Sequence, residues 1–137
     1  MTSAPMPPSA PAQPPMGWVS LTIQGSVMTS SMIPPKAAIN GYLVPASYGL
    51  NQIPVPAGPV RVDLSAQWMR TYGQASLEFQ LAEGQNVPVF YAAPLHQFTT
   101  GSIGFEPVKR KGVGVFVVIL AAAILLPLLG LSLAFFL

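Results

Sequence analysis

Short stretches in which apolar and polar residues alternate, turn signals spaced about ten residues apart, and one uncharged apolar run predict an all-β domain followed by a helix. The expected fold is a small antiparallel β-sandwich or open barrel with one C-terminal transmembrane α-helix. Four regions follow in order: a Pro-rich tail (1–16), a β domain (17–93), a linker with a basic cluster (94–111) and the apolar segment (112–137).

The tail, MTSAPMPPSAPAQPPM, holds six of the chain's 16 prolines and no charge. It lacks the basic start and apolar stretch of a signal peptide. Pro5, Pro8, Pro11 and Pro14 recur at the three-residue period of polyproline II, which places them on one edge of such a helix. The tail reads either as a disordered, solvated segment or as a ligand for an aromatic-lined groove.

Strands are expected next. In Trp18 to Gln24, Val19, Leu21 and Ile23 share one face; in Val60 to Ala66, Val60, Val62, Leu64 and Ala66 do so. Gln74 to Ala82 sets Ala75, Leu77, Phe79 and Leu81 opposite Gln74, Ser76, Glu78 and Gln80. Side chains on a strand point to opposite faces in turn, so this pattern describes sheets buried on one side. Asn40-Gly41 is the preferred pair for a type I′ hairpin turn. Pro56-Ala57-Gly58-Pro59 and Glu83-Gly84-Gln85 mark further turns.

The run AINGYLVP, the turn and strand IPVPAGPVRVDLSA, and the strand pair ASLEFQLAEGQNVPVFYAAP together resemble the PEGA-type β domain over about Lys36 to Ala93. The resemblance implies an interaction or surface-associated module with no catalytic residues to carry over. The chain as a whole, from Pro-rich start to apolar end, also looks like small membrane proteins of high-GC actinobacteria.

Val113 to Leu137 carries no charge and exceeds the roughly 20 residues that cross a bilayer. Lys109, Arg110 and Lys111 abut it. They add +3 to residues 1–108, which sum to −1, and so produce the net charge of +2 and the pI near 9.2. A basic character confined to one tripeptide argues against nucleic-acid binding, which needs many phosphate contacts. The triad is expected to fix topology and to meet lipid head groups. By the positive-inside rule it puts the β domain in the cytoplasm and the C-terminus outside the inner membrane, a tail-anchored, single-pass arrangement. Within the helix, Gly130 and Ala134 have small-xxx-small spacing. Pro127 leaves a carbonyl in the preceding turn without its donor, so a partner helix is expected to pack there.

Candidates for chemistry are sparse. With no cysteine and one histidine, thiolate metal sites and a cysteine nucleophile are excluded, and no cofactor is expected. Asp63, Glu78, Glu83 and Glu106 read as solvated charges, and His96 stands in a linker without an orienting carboxylate. Aromatic residues are the better clue. Tyr48, Trp68 and Tyr72 fall in predicted loops, with Arg70 between two of them, and Trp, Tyr and Arg are the types that anchor interfaces. They either form an interface or cap the open ends of the sandwich.

The expected function is non-enzymatic: a tail-anchored protein whose cytoplasmic domain is an interaction or accessory module of a membrane complex, partnered by the bilayer and by a membrane protein or a second copy. The alternative is an envelope-facing domain that binds a glycan or peptide, with the opposite topology.

Overall fold

The computed structural model describes residues 14–137. The Pro-rich reading of 1–16 therefore falls almost entirely outside the described residues. Among the described residues, eight strands form two four-stranded sheets, and one helix follows them. The strands are β1 (Met16–Ile23), β2 (Lys36–Ile39), β3 (Tyr42–Val44), β4 (Gly49–Pro56), β5 (Gly58–Trp68), β6 (Arg70–Leu81), β7 (Asn86–Ala92) and β8 (Ser102–Gly104). The helix is α1 (Val113–Phe136).

One sheet runs β4-β1-β7-β8 and the other β3-β2-β5-β6. Their inner faces meet in one core. Val19, Leu21 and Ile23 of β1 and Val89 and Tyr91 of β7 pack in the same cluster as Val60, Val62, Leu64 and Ala66 of β5. These are the inward positions that the alternation predicts, and Val19, Leu21 and Val62 are wholly buried. On β6, Ala75, Leu77 and Phe79 are only half-buried, because this strand lies at a sheet edge. Asn40 and Gly41 both take positive φ (51° and 85°) between β2 and β3, as a type I′ turn requires.

Three features depart from the sequence expectations. First, the sheets are not wholly antiparallel: β1 pairs in parallel with β7, from Trp18↔Asn86 to Ile23↔Tyr91. The chain leaves the first sheet through the Pro56–Pro59 turn, makes β5 and β6 in the second sheet, and returns through Glu83–Gln85. That return reaches the end where β1 starts, with the Trp18 N–H donating to the Gln85 carbonyl at 2.8 Å, so β7 must run alongside β1.

Second, Trp68 and Tyr72 do not lie in loops. Trp68 ends β5, Arg70 and Tyr72 begin β6, and Met69 alone forms the tip at φ 60°. A bulge shifts the register between Leu64↔Ala75 and Ala66↔Tyr72, with Gly73 at φ 64°. The bulge breaks the two-residue period, so Tyr72 and Gly73 are both buried and the alternation seen from Gln74 onward cannot be extended back through them. It also turns two carbonyls out of the ladder. The buried Tyr91 hydroxyl donates to the Gly73 carbonyl (2.7 Å) and the Gly101 N–H to that of Gln74 (3.2 Å).

Third, the region read as a linker, 94–111, belongs to the folded unit. Ser102–Gly104 forms β8 against β7, and Phe105 meets Phe79 edge to face at 5.7 Å.

Candidate functional site at the helix-bearing end

The segment before α1 is fastened along its length to one end of the sandwich. The Gln24 side-chain amide pairs with the backbone of Val108 in both directions, accepting from its N–H (2.8 Å) and donating to its carbonyl (2.9 Å). The Lys111 carbonyl accepts from the Leu95 N–H at 3.0 Å. Between these, Arg110 spreads its guanidinium over three carbonyls: Nε to Ala93 (2.9 Å), Nη1 to Thr29 (2.8 Å) and Nη2 to Pro94 (3.2 Å). Arginine suits this position because its donors are held in a rigid planar fork. Gly112 closes the strap. It adopts φ 90°, and a Cβ there would lie 2.5 Å from His96 Cδ2, so the imidazole rests on the glycine where the helix begins.

Of the basic triad, then, Arg110 ties domain to helix, Lys109 is exposed, and Lys111 reaches Thr100 Oγ1 at 3.0 Å while remaining exposed. The four aromatic-cluster residues divide likewise. The Tyr48 hydroxyl donates to the Ser31 carbonyl (2.8 Å) and accepts from the Ser31 N–H (3.1 Å), and its ring packs on the core. Tyr72 is a core residue, and burial pushes its hydroxyl pKa up. Both therefore cap the end of the sandwich. Trp68 and Arg70 remain on the surface.

Beside Trp68 opens a cavity of about 320 Å³ bounded by Val27, Met32, Tyr72, His96 and Gln97. Around it stand apolar side chains that sequence reasoning passed over: Met28, Met32 and Ile33 in the loop after β1, Met69 at the β5–β6 tip, and Phe98 after β7. The available signal was the run Val27-Met28-Thr29-Ser30-Ser31-Met32-Ile33, which is apolar for a loop and has no alternation that buries it.

On α1, Pro127 interrupts the interior and none of the residues is buried against the domain. Pro127, Gly130 and Ala134 follow one another at three- and four-residue steps, which puts them on one helix face. The carbonyl of Ala123, which Pro127 cannot serve, belongs to the same face.

The titratable groups are arranged otherwise. On the outer face of the β2-β5-β6 sheet, Arg61 lies 3.1 Å from Asp63 and 3.6 Å from Glu78. Partial burial raises the Asp63 pKa, but hydrogen bonds from Ser76 and Arg61 outweigh it and hold the carboxyl below its ordinary value. Among the described residues, no three His, Asp or Glu side chains converge as metal ligands would. In comparisons with protein families, curated proteins and solved structures, no match to this chain was found.

Proposed function

We propose that this chain is a non-enzymatic, tail-anchored, single-pass membrane protein whose β domain serves as an interaction or accessory module of a membrane protein complex. The observation that carries the reading is α1 together with its strap. The helix has 24 residues and none of them is buried. At about 1.5 Å per residue it is about 36 Å long, enough for a hydrocarbon layer of about 30 Å. Lipid or another helix must cover it, and the strap holds the start of α1 against the domain. The small-residue face around Pro127, Gly130 and Ala134 suits a second helix, since it permits close backbone approach and offers the Ala123 carbonyl as an acceptor. The PEGA-like order of turns also favours an interaction module.

The basic triad favours a cytoplasmic β domain at the inner membrane. Gentle solubilisation should yield stoichiometric co-purifying subunits or a self-associated form; a stable, strictly monomeric species would count against the module. Protease added to sealed spheroplasts should leave the β domain intact. Its digestion from outside would reverse the topology and favour the envelope-facing, ligand-binding alternative.

A further inference from the structure

We propose that the helix-bearing end of the sandwich is a lipid-seating surface, in which Met28, Met32, Ile33, Trp68, Met69 and Phe98 enter the interfacial layer of the bilayer that α1 crosses. The proposal rests on α1 spanning a membrane and is independent of the accessory-module reading.

These six side chains are 90%, 72%, 48%, 42%, 93% and 75% exposed, in that order. They come from three stretches far apart in sequence, and the fold gathers them at one end. Thr29, next to Met28, is held by Arg110 of the strap. Gln97, next to Phe98, donates to the Trp68 carbonyl at 2.8 Å. Ile33 flanks the same depression as Trp68 and Met69. Apolar side chains this exposed and this concentrated mark a surface that something covers.

The position of α1 identifies the cover. The helix begins at Val113, directly after the Gly112 that packs on His96, and Lys111 is bound to Thr100, two residues from Phe98. No spacer separates the apolar cluster from the point where the chain enters the membrane, so the two are continuous. The residue types fit that depth: Trp is enriched at membrane interfaces, while Met and Phe contribute apolar area without a buried polar group. Arg70, Lys109 and Lys111 are exposed at the same end and would meet anionic head groups.

The two tryptophans supply the test. Trp18 is 45% exposed and Trp68 is 42% exposed, so their access to solvent is nearly equal. Trp18, however, lies near the start of β1, five residues or about 16 Å back along the strand from Ile23. The full-length Trp18→Phe and Trp68→Phe variants each retain one reporter. They are reconstituted in vesicles of phosphatidylcholine and phosphatidylglycerol carrying lipid brominated in the upper acyl chain, and insertion of α1 is checked by resistance to alkaline extraction. Trp68 emission should be quenched at least about twofold more than that of Trp18, with the bluer maximum expected of an interfacial ring. A Met28→Ser, Met69→Ser, Phe98→Ser variant, altered only at well-exposed side chains, should lose most of that difference.

Equal quenching of the two reporters with α1 inserted would overturn the seating and leave the membrane reading standing, as expected if a protein covers this end instead. Undiminished Trp68 quenching in the triple variant would overturn the assignment to these side chains. If α1 is extracted, the membrane reading itself falls and the seating with it.

Discussion

Arg110 shows how a residue's role depends on what its neighbours leave unpaired. Its three bonds satisfy carbonyls of Ala93, Pro94 and Thr29 that would otherwise compete for water at a partly closed surface. Hydrogen bonds to charged groups contribute about 1.5–3 kcal/mol. Arg110→Ala should therefore lower the stability of the detergent-solubilised chain by about 2–3 kcal/mol in a denaturant titration, and Arg110→Lys should recover less than half, because an ammonium cannot serve three divergent acceptors. Tyr91 presents the complementary case of a buried donor. Burial pushes its hydroxyl well above the ordinary 10.0, so the folded state holds the proton more tightly than the unfolded chain does. The contribution of this group is fully present below about pH 10 and is lost as the pH climbs toward the raised folded value. Tyr91→Phe should lower neutral-pH stability by about 1–2 kcal/mol, since the Gly73 carbonyl loses its donor, and should remove this part of the alkaline decline.

At the scale of elements, the junction between strap and helix is the most constrained point of the chain. A Gly112→Ala side chain would meet the His96 ring and would also force alanine to φ 90°. The expected destabilisation is about 1–3 kcal/mol. It should appear first as faster hydrogen exchange at the Leu95 amide, which bonds Lys111. Adding His96→Ala should relieve the clash but not the backbone strain, so the double variant should recover only in part. Neither contact can be read from the sequence: the Gly112 conformation and the position of His96 follow from how 94–111 folds back, and Gln24 and Val108 are 84 residues apart. The strands were legible wherever packing on one side forced a two-residue period, as in β1, β5 and the later part of β6. The Asn40-Gly41 turn was legible from its own chemistry. Legibility ended at the Gly73 bulge, where the period changes phase, and at β8, where three half-buried residues leave no pattern.

For the molecule as a whole, one core joins both sheets, so a cavity made in it should be felt throughout. Leu21→Ala, at a wholly buried site on a central strand, should cost about 2.7–5 kcal/mol and lower the midpoints of both sheets together, measured by tryptophan emission and far-ultraviolet circular dichroism. Of the candidate interface, the sequence exposed its chemical types but not its membership. Tyr48 and Tyr72 turned inward because the end of the sandwich needs covering, whereas Met28, Met32 and Met69, which resemble core residues in composition, were left outside. The parallel pairing of β1 with β7 also sets an order of events in time. β1 remains open along one edge until β7 has come back to it, and contacts this remote in sequence make for slow folding. Gln24 finds Val108 only a few residues before α1 begins, so during synthesis the last steps of closing the domain and the emergence of the apolar helix fall almost together, and under the proposed membrane reading the helix is handed over just as the domain closes.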